Sequence, residues 1–272
     1  MSKLSRIWRS FLQRNFLRGE KPASLNQWQQ AFCAWNAERL GIPPVESVDR
    51  FKQSCAALKG GHGGRAFKLY GEIQHELLRP FASNRADEIV DAYKTHAQVH
   101  FLRMLSYPLP AWPDHIPELA PLFEKRALTI VDFGCGLAQT SISLAQFLQG
   151  RGRTLELFLV DLPVPQLEFL RWLCRRLKLP ATIAECTPTA MVPPLPACDL
   201  LIATELFEHL HEPLGHLKAF TTAVRPGGFL LTNIADHESE FLHVTPKLAP
   251  LREFLRQHGW PELRPSRIYQ KP

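Results

Sequence analysis

The stretch Leu128–Ala145, LTIVDFGCGLAQTSISLA, constrains the fold of this chain more than any other. Thr129–Phe133 is a short, β-branched apolar run with the character of a buried strand. It ends in Asp132-Phe133-Gly134-Cys135-Gly136, after which Ile142, Leu144, Ala145 and Leu148 take up helical spacing. Strand, glycine turn and helix make a nucleotide-binding crossover. The glycines let the backbone turn sharply and let a ligand approach without Cβ contact. A dinucleotide GxGxxG would need glycine at position 139, where Gln139 stands, and no GxxxxGK[ST] phosphate loop occurs.

The partners follow in order. Thr154–Val160 reads as a second strand ending at Asp161, 25 residues beyond Gly136. A carboxylate at that tip can accept hydrogen bonds from both ribose hydroxyls of a nucleoside. Val164–Leu177 reads as a helix, Ala181–Glu185 as a third strand leading to Cys186-Thr187, and Cys198–Thr204 as a fourth. Glu205-Leu-Phe-Glu208-His209-Leu-His211-Glu212-Pro213 comes next, then Pro-Gly-Gly and a fifth strand, Gly227–Asn233.

From about Leu128 to about Trp260 this sequence resembles the class I S-adenosylmethionine (SAM) methyltransferases, whose first motif is DxGxGxA. Its EHL-P…L-PGG stretch is similar to the ubiquinone-pathway-like O-methyltransferases. The resemblance implies an α/β, Rossmann-like, doubly wound and mostly parallel sheet that binds SAM. It places Asp132, Gly134, Cys135, Gly136, Asp161, Leu162, Thr187 and Thr204 around the cofactor. The family often has Asp or Asn after the third strand; Cys186-Thr187 departs from that. A helical front is typical of these enzymes as a cap over the substrate mouth, and related caps contribute an aromatic residue, here Tyr93. The same Tyr93 read as a plain packing residue stays open.

Glu205, Glu208 and His209 form ExxEH. On a helix these are i, i+3 and i+4 neighbours, so their side chains converge. Two carboxylates and an imidazole suit proton removal, with His209 and Glu205 as the catalytic pair, or a divalent metal. The motif also resembles that of small-RNA 3′-terminal 2′-O-methyltransferases, in which a later histidine completes a magnesium site. The resemblance implies Glu205, Glu208, His209 and either His237 or, better, His243 as ligands. A helix-capping acid beside a partly buried histidine is the plainer alternative. His209 and His211 would point about 200° apart on a helix, so the neighbouring histidines do not form one site.

Charge is uneven. Residues 1–120 hold 16 Lys+Arg against 11 Asp+Glu, and residues 121–272 hold 16 against 15. The basic front suits an acidic substrate, nucleic acid or a membrane surface, yet no nucleic-acid-binding motif accompanies it. Residues 1–19 carry five Lys/Arg and no acid, which fits a packed helix, an interfacial helix or a transit peptide, and no secretory signal. Helices are expected over Ser24–Leu40, Val48–Leu58, Ala66–Phe81 and Ala86–Leu105, with Gly60–Gly64 as a connector. The proline-rich Ser106–Pro121 marks a linker. The expected division is a helical cap over 1–120 and a SAM-binding domain over 121–272.

Six cysteines without CxxC or zinc spacing read as free thiols in a reducing, cytoplasmic setting. No apolar run reaches the ~20 residues of a membrane span. After the fifth strand the tail predicts a helix over Leu248–His258 and one strand near 267–270, with a seventh strand in doubt. Three functions stand: methyl transfer to a small-molecule acceptor, most readily a hydroxyl oxygen because no DPPY-type motif follows the fourth strand; metal-assisted RNA 2′-O-methylation; or a silent SAM-fold partner protein.

Overall fold

The structure, a computed structural model, describes residues 25–59, 79–80, 82–105, 116–187, 191–236 and 243–272. Residues 1–19, Gly60–Gly64 and His237 lie outside that set, as does nearly all of Ala66–Phe81. The helices at the front are α1 (Gln27–Leu40), α2 (Pro44–Lys59), α3 (Ala86–Thr95) and α4 (Ala97–Met104). The expected single helix over 86–105 is thus two, parted at His96, where the backbone turns to φ −107°, ψ 21°. Neither glycine nor proline marks that break in the sequence.

The chain divides into two compact units. In the first, described residues 25–59 and 98–105, Phe32 anchors an aromatic cluster. Its ring lies 5.8 Å from Trp35, 5.8 Å from Phe51 and 4.9 Å from Phe101. A capping box starts α1: Asn26 Oδ1 accepts from the Trp28 and Gln29 N–H groups, and Gln29 reaches back to the Asn26 N–H. Pro44 opens α2 four residues ahead of the expected start, since a first-turn proline gives up no hydrogen bond.

The second unit takes the other described residues, α3 included. It runs from α5 (Ala120–Glu124) through β1 (Ala127–Phe133), α6 (Gln139–Gln149), β2 (Thr154–Asp161), α7 (Pro165–Leu177), β3 (Ala181–Glu185) and β4 (Cys198–Ala203). It ends with α8 (Pro213–Ala223), β5 (Val224–Thr232), α9 (Ala249–Gln257), β6 (Glu262–Arg264) and β7 (Ile268–Gln270). The sheet order is β3-β2-β1-β4-β5-β7-β6, parallel from β3 to β5 and antiparallel at β7 and β6. This is the expected doubly wound α/β fold.

Strands buried on both faces need continuous apolar runs, which is what β1 and β4 supply. Val131, Phe133, Val160 and Leu201 share one core with Leu217 and Phe220 of α8 and Leu251 and Leu255 of α9. Alternation turns Ile130 and Leu157 to the opposite face, where right-handed crossovers carry α6 and α7.

The seventh strand is present, correcting the doubt raised by the short tail. Both terminal strands are only three residues long. Their hairpin is held by one bond across it, Tyr269 Oη donating to Glu262 at 2.7 Å, and by one long-range contact, Arg264 gripping Glu118 with two bonds of 2.8 Å. The expected Pro-Gly-Gly turn lies inside β5, where the pairing with β4 slips between Cys198 and Leu200; a Cβ on Gly228 would meet the Arg225 and Asp199 carbonyls at 2.9 and 3.0 Å, so no other residue fits there. Among the described residues, no helix is long and apolar enough to cross a membrane.

Candidate active site

The strand order reverses between β1 and β4, and at such a switch point the carboxyl ends of the strands open a ligand crevice. The residues singled out in the sequence after β1, β2, β3 and β4 all sit on this one rim.

The glycine loop leaves β1 with Gly134 at φ +69° and Gly136 at φ +52°. Its first amides, Gly134 and Cys135, donate to the Val160 carbonyl at 2.8 and 3.1 Å, folding the loop onto the tip of β2. Asp161 is then gripped from two sides. Its Oδ2 accepts from the Gly136 N–H at 2.7 Å and its Oδ1 from the Leu162 N–H at 2.7 Å. A carboxylate offers about four lone-pair sites, so two remain for a ribose diol. Burial raises the Asp161 pKa, and the two amides pull it back down.

Asp132 is almost wholly buried at the end of β1. Burial pushes its pKa up to about 7; the 2.6 Å hydrogen bond from Ser141 Oγ opposes that rise, and the nearby Asp161 charge adds to it. Nothing in the sequence pattern had marked Ser141 as this partner. Cys135 is buried between the two acids, and burial with their charges pushes its thiol well above the ordinary range, so it is no nucleophile.

Leu162 and Thr187 line a cavity of about 240 Å³, together with Cys186. Its other wall is one stripe of α3: Asp87, Val90, Asp91 and Lys94, at helical i, i+3, i+4 and i+7 spacing. Tyr93 is half-buried on the same helix, off that stripe. A larger hollow of about 440 Å³ lies elsewhere, beside α9. Its arginines are already paired, Arg252 with Asp236 and Arg256 with Glu253.

Beyond β4, Thr204 is half-buried and leads into the ExxEH segment. The expected helix across it does not form. Glu205 adopts a left-handed backbone (φ +53°), rare for a residue with a Cβ, and only Phe207–His209 makes a 3₁₀ turn. Glu205 is exposed and its Oε1 accepts from Asn233 Nδ2 at 2.5 Å, a partner the sequence did not signal. It therefore stands apart from the group it was expected to join.

Glu208, His209 and His243 do come together. One ligating atom from each lies within 4.8 Å of the others, and the His209 and His243 rings are 5.0 Å apart. The Glu208 side chain is fully buried. The segment carrying His243 is tied to the turn: the Thr245 N–H donates to the Glu208 carbonyl at 3.0 Å and its hydroxyl to the Leu210 carbonyl at 2.6 Å. His211 is exposed, while His216 is buried against Phe133 and Phe220 with burial lowering its pKa. The three histidines of this region are three separate environments.

Residues 131–232 match the family model described as a methyltransferase domain. Among solved structures, the [4+2]-cyclase SpnF is similar at 16% identity and TM-score 0.46, over 66% of this chain and 73% of its own. TehB from Haemophilus influenzae aligns at 16% identity and TM-score 0.46, over 63% of this chain and 66% of its own. A SAM-dependent methyltransferase from Aquifex aeolicus aligns at 15% identity and TM-score 0.41, over 57% and 86%. No curated protein matches the sequence. The matched segment is the part of the chain that builds the glycine loop and the rim around it, so the methyltransferase-domain match falls on the candidate site itself.

Proposed function

We propose that this enzyme carries the methyl group of SAM to a hydroxyl oxygen of a small molecule, with His209 as the proton acceptor. The observation that carries the reading is the imidazole pair and buried carboxylate standing on the same sheet rim as the nucleoside cradle. The acceptor oxygen attacks the methyl carbon in line, the sulfonium leaves as a neutral thioether, and the hydroxyl proton passes to His209. A hydroxyl gains most from such a base, whereas an amine attacks with its own lone pair. Asp132, the glycine loop, Asp161, Leu162 and Thr187 hold the cofactor, with Thr204 and Tyr93 flanking it. Glu205, fixed by Asn233, orients the acceptor. Acceptor selection is assigned to the helical front, residues 1–120, and methyl transfer to 121–272, with α3 of the front also facing the cofactor, in a cytoplasmic setting.

One carboxylate and two imidazoles also form a donor set for a divalent cation, and the convergence of Glu208, His209 and His243 favours this as a second reading. Bound there, a cation would act as a Lewis acid toward the acceptor oxygen. It would take the lone pair that His209 otherwise offers the proton, so the two readings separate experimentally. In a transfer assay with labelled SAM and a panel of hydroxylated and amino metabolites, His209→Asn is expected to lower kcat about 10²–10⁴-fold on hydroxyl acceptors. Chelator leaves wild-type turnover unchanged under the first reading and abolishes it under the second. Transfer confined to amines and indifferent to His209→Asn would refute both.

A further inference from the structure

The cavity beside Asp161 has an unusual wall. On the sheet side, Leu162 directly follows the acid that grips the glycine loop, and the Cys186 N–H donates to the Asp161 carbonyl at 2.8 Å, so this face adjoins the nucleoside cradle. The sheet side offers a leucine, a proline, a buried thiol and a threonine, with no side-chain carboxylate or amide among them. The facing stripe of α3 has both charges: Asp87 and Asp91 one turn apart, Lys94 at its end, and Val90 between them.

The space, about 240 Å³, is below the roughly 300–1,000 Å³ that holds a drug-sized molecule and suits a single ring system. The Watson–Crick edge of adenine presents an amine donor at N6 beside an acceptor at N1. A carboxylate and an ammonium on one helix face offer the opposite pattern, acceptor and donor. Val90 and Leu162 supply apolar surface for the ring.

We propose that α3 reads the adenine edge of the cofactor: Asp87 or Asp91 accepts from the N6 amine and Lys94 donates to N1, replacing an acid that the third-strand loop lacks. This rests on the SAM reading of the site and adds a specificity determinant outside the residues 131–232 that match the domain family.

An inosine base reverses both groups, with a carbonyl at position 6 and an N–H at N1. The test is calorimetric titration of the full chain with S-adenosylhomocysteine and S-inosylhomocysteine, using wild type, Asp87→Asn, Asp91→Asn, the double variant and Lys94→Met. A hydrogen bond to a charged group predicts that wild type prefers the adenosyl ligand by about tenfold or more. One Asn variant, and the double variant, are expected to bring the ratio to within about threefold, because an amide can pair with either base. Lys94→Met is expected to weaken adenosyl binding while unfolding temperatures stay at the wild-type value. A wild type that binds both ligands equally, or variants that all keep the wild-type ratio, would overturn the proposal and leave the cofactor reading intact. A folded wild type that binds neither ligand would overturn both.

Discussion

The Gly136 amide donates to Asp161 Oδ2 at 2.7 Å, joining the glycine loop to the tip of the neighbouring strand across 25 residues of sequence. This bond explains why a second glycine and a strand-end acid occur together. The amide can reach the carboxylate only because the loop passes close over β2, and the same carboxylate keeps lone pairs for a ribose. Loop geometry is thus set by one side chain, and under the proposed function the same side chain binds the cofactor.

Gly134 is restricted by its backbone more than by space. At φ +69° a Cβ is strained, and it would also meet Leu206 Cδ1 at 3.0 Å. Gly134→Ala is expected to destabilise the fold by about 1–2 kcal/mol through the left-handed backbone. Denaturant unfolding checks it, with a lowered midpoint and an unchanged slope as the expected result.

The buried Asp132 predicts a pH dependence with a definite sign. Its ionisation is shifted from the ordinary 3.8 to about 7. Between those values the unfolded chain has lost the proton that the folded one keeps, so this group's contribution falls as pH rises through the window and is level above it. The drop amounts to about 4 kcal/mol. Stability of wild type relative to Asp132→Asn, followed by urea unfolding from pH 4 to 8, should decline and then flatten near 7. SAM brings positive charge, so its affinity should rise over pH 6–8 in wild type and not in the variant.

Asp199 behaves in the opposite sense. It is nearly buried at the far end of β4 and accepts from Lys125 Nζ at 2.7 Å, Arg225 Nη1 at 2.8 Å and the Thr129 N–H at 2.9 Å. Burial alone would raise its pKa, but these partners hold it below the carboxylate norm. A lowered folded value means stability present above the unfolded pKa and lost as pH falls through the folded one, in the acid range below about 4. Asp199→Ala should remove about 1–3 kcal/mol, chiefly by leaving the Thr129 N–H without its acceptor, since Lys125 and Arg225 both reach water. Because β4 carries it away from the rim, S-adenosylhomocysteine affinity of the folded variant should be unchanged.

If the second reading of Glu208, His209 and His243 holds, removing one imidazole removes the metal without the nucleoside. Manganese or cobalt binding, measured on the purified chain, should fall at least tenfold in His243→Ala. Affinity for S-adenosylhomocysteine should stay at the wild-type level. Equal metal binding by wild type and variant would return the cluster to proton transfer alone.

The sequence revealed most where short-range chemistry writes its own signature. The run from Thr129 to Asp161 carries strand, turn, helix and acid in a fixed order, and the sheet follows from it. It revealed less where long-range partners decide. The ExxEH spacing suggested a helix face, but Asn233 and the left-handed Glu205 send that side chain elsewhere, and only the 3₁₀ turn brings Glu208 and His209 to His243. Three-residue strands have too little pattern to see; Arg264 and Glu118 hold their hairpin from 146 residues apart. The break at His96 carries no glycine or proline to announce it.

Calorimetric titration of the full chain with S-adenosylhomocysteine, beside Asp161→Ala, tests the central claim most directly. The account predicts saturable binding with one site per chain in wild type, lost in the variant while its fold is kept. Wild-type protein that is folded yet gives neither heat nor a thermal shift, or binding that survives Asp161→Ala undiminished, would contradict it.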